Sequence, residues 1–167
     1  MLLDLPPLLN ALILWVHLIS AVVFVGGSYF MWMVLVPASY KLATDESERT
    51  KIVGRIAKEF ARVVNPSLVV LVVTGLYNMT WYLGSMSQLY DSYAGHLLLA
   101  KIVAVGLLIA LLYVSNVYYG RRIMRLAREG KIEELTATRK TSRIVSFANL
   151  GLMALILLLV AVMQTTA

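Results

Sequence analysis

Four long apolar stretches, three of them without a formal charge, dominate this chain. Residues 5–40 and 63–90 hold no Asp, Glu, Lys or Arg, and neither do residues 144–167. Residues 94–119 hold one, Lys101. A helix needs roughly 20 apolar residues to cross the hydrocarbon core of a bilayer, at about 1.5 Å per residue. Each stretch is long enough. Hydrophobic residues make up 60% of the 167 and charged residues only 14%. That is too few charges to coat a soluble protein of this size. The expected fold is all-α, an integral membrane four-helix bundle forming one transmembrane domain over 1–167. The spans are expected at about 9–36, 63–83, 94–119 and 144–164.

The charges lie between the stretches. Residues 41–62 carry six Lys/Arg and residues 121–143 carry eight. The N-terminus, the 84–93 connection and the C-terminus carry none. Basic loops stay on the cytoplasmic side of a membrane. This places 41–62 and 121–143 in the cytoplasm and both termini outside, in the plasma (inner) membrane. It accounts for a net charge of +6 through lipid-facing loops, with no nucleic-acid partner. Short connections favour an up-and-down arrangement. The first apolar run lacks a preceding Lys or Arg and is too long for a signal h-region, so it reads as a retained span. Asp45 and Glu48 have capping-box spacing and open an amphipathic helix that runs into the second span. Pro37 suits the end of the first span, and Pro66 the first turn of the second.

The absence of cysteine excludes disulfides, iron–sulfur clusters and thiolate metal sites. HExxH, paired intramembrane carboxylates and a Gly-rich phosphate loop are also absent. What remains is two histidines. His17 lies 24 residues before Lys41, and His96 lies 25 before Arg121. In straight, parallel helices both sit at one level near the outer rim, on spans that face each other diagonally. Steps of three and four from His17 meet Ser20, Ala21, Gly27 and Ser28, the small residues of a packed membrane-helix face. From His96 the same steps meet Ala100, Gly106 and Ala110.

Facing imidazoles across a bundle can hold a haem iron. With thioethers they can also bind copper. His17 and His96 are therefore the expected metal ligands, with Met79, Met86 and Met163 as additional donors, and geometry puts haem b ahead of copper. The corresponding role is electron transfer as a membrane oxidoreductase, with a quinone or respiratory partner. The alternatives are copper handling, which in so narrow a bundle calls for a homo-oligomer, and an accessory subunit of a larger membrane complex. Two wet, interfacial histidines near one rim are the plainer reading. Lys101 is about 140° around the helix from His96. It either snorkels beside lipid or meets an acidic group such as a haem propionate or Asp91, or an anionic substrate. Asn65, Asn78, Asn116 and Asn149 read as interhelical hydrogen bonders.

Several short motifs carry a resemblance. Trp15-Val16-His17-Leu18 with Gly26-Gly27 resembles the opening helix of the copper resistance protein D (CopD) domain. Thr74-Gly75-Leu76, Leu83-Gly84-Ser85 and the run from Tyr93-Ala94-Gly95-His96 to Leu99-Ala100-Lys101 resemble its centre. Ala94 separates Tyr93 from Gly95 where that family has a Tyr-Gly pair. The resemblance implies an inner-membrane protein of copper uptake or tolerance. The four-helix pattern is more loosely similar to HemJ-type protoporphyrinogen oxidase, a haem b protein with a histidine and a lysine in its spans. These resemblances imply functional positions at His17 and Lys101, so the cofactor-binding set is His17, His96 and Lys101.

Overall fold

A computed structural model describes residues 6–82, 90 and 92–166, and they form no strand. Four continuous helical runs result. α1 spans Pro7–Leu42 and α2 spans Glu46–Tyr82. α3 comprises Tyr93–Tyr113, a wider π-type segment Val114–Tyr119, and Gly120–Glu129. α4 spans Ile132–Thr166. All four contain windows apolar enough to cross a membrane. Their 33–36-residue spans reach about 50–54 Å, well beyond the roughly 30 Å hydrocarbon core.

The excess length carries the charge. The basic block at 121–143, expected as a loop, is almost entirely helical. α3 continues to Glu129 and turns at Gly130, whose φ of 69° ends it in the left-handed conformation. α4 begins two residues later. Asp45 Oδ2 accepts from the Glu48 N–H at 2.9 Å, so the expected cap of α2 is formed. Ser92 caps α3 in the same way, accepting from Gly95 N–H at 3.0 Å.

Neither proline ends a helix. Pro37 lies inside α1 just past a π-type segment, Met31–Leu35. The wider turn makes room for a ring that would otherwise clash with the preceding turn. Pro66 lies deep within α2 rather than in a first turn, because α2 already starts at Glu46. A second π-type segment in α1, Val22–Gly26, loosens the ladder further. The Ser28 hydroxyl donates to the Phe24 carbonyl there at 2.6 Å.

α1 packs closely on α2, and α3 on α4. The two hairpins join through a central cluster of Phe24, Val64, Leu108, Leu150 and Met153, which draws on every helix. The Tyr29 hydroxyl donates to the Leu150 carbonyl at 2.8 Å, and the Trp32 and Phe147 rings lie 6.0 Å apart, tying α1 to α4. Outside, large apolar side chains such as Trp15, Val22, Val73 and Leu158 are exposed. Inside, Ser20, Ser39, Thr50, Asn78, Thr138, Ser142, Ser146 and Asn149 are buried. Apolar outside and partly polar inside is the polarity of a protein dissolved in lipid.

At Gly27 the Phe60 side chain of α2 packs directly on the α1 backbone. A Cβ there would stand 2.5 Å from the Phe60 ring. Gly27→Ala is expected to lower stability by about 1–3 kcal/mol through overpacking. Adding Phe60→Leu should recover most of it. Thermal unfolding of the single and double variants in detergent checks this; a loss in Gly27→Ala that Phe60→Leu leaves unchanged would exclude the steric cause.

Candidate functional site

His17 faces α2. Its Nδ1 lies 2.7 Å from Thr74 Oγ1. Thr74 Oγ1 also lies 2.6 Å from the Val70 carbonyl one turn back, to which only the hydroxyl can donate. A hydroxyl has one proton, and the carbonyl takes it. Towards His17 the threonine oxygen therefore accepts, and the proton of that bond sits on Nδ1. This fixes the tautomer and leaves Nε2 with its lone pair free for a ligand. The neighbouring residue sets the ring's position. A Cβ at Gly75 would approach His17 Cε1 at 3.3 Å, so the imidazole rests against bare α2 backbone. The pair Thr74-Gly75 thus supplies the acceptor and the space.

Lys101 enters from α3. It is half-buried, and its charge lies within Coulombic reach of the imidazole. Asn78 lies one turn beyond Thr74 on α2. It is buried, and its Oδ1 has no hydrogen-bond partner among the described residues. Met79 lies one turn beyond Gly75 and packs with Leu97 against buried Leu98 and Met163. Leu97 and Leu98 are themselves one turn before Lys101. Two thioethers therefore meet on the side of the site nearer the α2 C-terminus. The Tyr77 hydroxyl, donating to Asn10 Oδ1 at 2.6 Å, ties this end of α2 to the start of α1.

The sequence-derived set divides in an informative way. His17, Lys101, Met79 and Met163 gather at one end of the bundle. His96 is exposed on α3, whereas Lys101, about 140° around that helix, is half-buried. Met86 and Asp91 lie outside the described residues. Among the described residues no group of three or more His, Asp or Glu forms a metal cluster. One half-buried and one exposed imidazole do not fit a haem iron held between two axial histidines. Of the asparagines expected to bridge helices, Asn65 and Asn116 are both exposed. Asn149, like Asn78, is buried with an unpartnered Oδ1. Thr74 and Gly75 were not identified as site residues from periodicity, although they belong to a motif that carries the family resemblance.

The family model for copper resistance protein D matches residues 54–163, about two thirds of the chain. The chain belongs to the copper resistance protein D family. The matched part contains Thr74, Gly75, Asn78, Met79, Lys101 and Met163, while His17 precedes it. No curated protein and no solved structure matches the chain, so the HemJ-type similarity gains no support.

The His17 tautomer in this CopD-family protein can be measured directly. Nitrogen-15 NMR of the imidazoles in detergent should show neutral His17 with its proton on Nδ1. Thr74→Val should shift it towards the Nε2–H form that free imidazole prefers. An unchanged His17 spectrum in Thr74→Val would show that the hydroxyl does not set the tautomer.

Proposed function

We propose that this protein handles copper as Cu(I), taken at a site made by His17 Nε2 with the thioethers of Met79 and Met163. The observation that carries the reading is the held imidazole. Metal-binding histidines characteristically donate their second ring nitrogen to an oriented acceptor, and Thr74 is such an acceptor for His17. Imidazole with thioether is a soft donor set, suited to Cu(I). Hard divalent ions such as Mg²⁺ or Ca²⁺ use carboxylates, which the described part of this site lacks. Lys101 adds selectivity by charge. Its repulsion of a divalent ion is twice that of a monovalent ion at the same distance. Membership of the copper resistance protein D family supports the same cargo.

The basic ends of the helices give the direction. Fourteen of the fifteen Lys/Arg lie in 41–62 and 121–143, so we place that end in the cytoplasm and the His17 end at the outer face of the plasma membrane. Copper then meets the protein from outside. The natural chain has no cysteine, so single substitutions report topology cleanly. Thr165→Cys should react with an impermeant maleimide on intact cells, and Lys131→Cys only after permeabilisation. The opposite pattern would invert the direction of handling.

Metal binding tests the site itself. The purified protein should bind one equivalent of Cu(I), or of Ag(I) as a redox-inert substitute, in competition with a chromophoric chelator. His17→Ala should abolish this binding, and Thr74→Val should weaken it roughly tenfold, the usual scale for losing an outer-shell partner. Met79→Leu and Met163→Leu preserve volume and should each weaken it partially. Unchanged affinity in His17→Ala would remove the site from consideration.

A further inference from the structure

The end of the bundle opposite His17 holds a second binding feature, independent of the copper reading. Two adjoining cavities of about 410 and 490 Å³ open there. The first follows α3 and is lined by Arg121, Arg125 and Arg128. The second lies between α2 and α3 and is lined by Lys51, Arg55 and Lys58, again with Arg128. Met124 is common to both. At the base, the Met124 sulfur would be 3.4 Å from a Cβ on Gly54, so the two helices approach closely beneath the cations.

The charge there is largely uncompensated. Glu59, which lines the second cavity, pairs with Arg62. Glu129 pairs with Arg125 at 3.9 Å and with Lys131 at 3.1 Å. Lys51, Arg55, Lys58, Arg121 and Arg128 form no ion pair with a carboxylate among the described residues. Five unpaired cations around two joined cavities call for an anion with more than one charged group.

The surface beyond the cavities is apolar. Steps of three and four along α3 from Asn116, which lines the first cavity, lead to Tyr113 and then Ile109, 66% and 38% exposed. On α2, Ile56 is 38% exposed beside Arg55. Cations at the rim with an exposed apolar strip below match a lipid, headgroup outermost and chains alongside the helix. Basic pockets between membrane helices recognise anionic headgroups. A soluble phosphate ester would leave the strip unused. A lipid with one phosphate would leave one cavity's cations without a partner.

We infer that this end of the protein binds a phospholipid carrying two phosphates, one in each cavity, with Arg128 between them and the acyl chains along the Tyr113–Ile109 strip of α3.

Three ligands distinguish the sources of the phosphate: cardiolipin, phosphatidylglycerol and inorganic phosphate. Delipidated full-length protein in neutral detergent is titrated with each, following thermal stability and, by native mass spectrometry, the bound species. Cardiolipin should bind one to one and raise the melting temperature saturably. Phosphatidylglycerol should be held more weakly, and inorganic phosphate should do neither. Arg128→Gln should weaken cardiolipin binding roughly fivefold, the effect expected for one cation near a headgroup. Lys140→Gln removes the same charge from an exposed position outside the cavities and should leave binding unchanged. Equal retention of phosphatidylglycerol overturns the two-phosphate assignment. Equal weakening by Lys140→Gln reduces the site to diffuse surface charge, and equal stabilisation by inorganic phosphate reduces it to an ion site.

Discussion

In hydrocarbon a backbone amide has no water to bond, so every span must close its own ladder. That requirement governs the rest of this protein. It keeps α1 helical through Pro37 and α2 through Pro66, where a soluble protein would often have turned. The proline in α1 is accommodated by widening the ladder just before it, in Met31–Leu35. Hydroxyls assist: Ser28 and Ser67 donate to the carbonyl four residues back. Thr74 does the same, and the direction of its hydroxyl proton passes on to His17. The chemistry of the site is thus an extension of the helix's own hydrogen bonding. A threonine that has given its proton to the backbone can only accept from the imidazole.

The same solvent reverses the usual distribution of polarity. Lipid covers the exposed Trp15, Val73 and Leu158, while Ser39, Ser146 and Asn149 are enclosed by other helices. The apolar cluster of Phe24, Val64, Leu108, Leu150 and Met153 sits between two polar regions. On one side lie His17, Thr74, Asn78 and Lys101. On the other lie the Ser115–Ser146 hydroxyl pair, 3.3 Å apart, and the buried Thr50 that bonds Arg139.

The architecture was legible because length and charge are coarse signals. Uncharged runs of more than 20 residues leave few alternatives to spans, and short connections leave few alternatives to an antiparallel bundle. The site was half legible. Depth along a helix can be counted from the nearest charge, and that count selected both His17 and His96. Rotation about the axis is the second coordinate, and at about 100° per residue a small error redirects a side chain. Lys101, about 140° from His96 on α3, is half-buried where His96 is exposed. Thr74 was hidden for another reason. A hydroxyl in an apolar run is an ordinary helix residue unless its partner 57 positions away is known. At 121–143 the charge pattern suggests a loop where the chain is helical, because charge marks exposure to water, not the absence of a helix.

Segregated charge links the two ends of the molecule. Unpaired lysines and arginines around the α2–α3 cavities raise the potential at the end where, in the proposed topology, a copper ion would leave. Lys101 already disfavours a cation at the other end. A protein handling a cation would then carry electrostatic opposition at both. Phosphates seated among Lys51, Arg55, Lys58, Arg121 and Arg128 offset the first of these without any carboxylate from the chain. The sequence has only nine Asp and Glu, and those nearest the cavities, Glu59 and Glu129, are committed to Arg62, Arg125 and Lys131. The compensating negative charge has to come from outside the protein, and the bilayer is the source within reach.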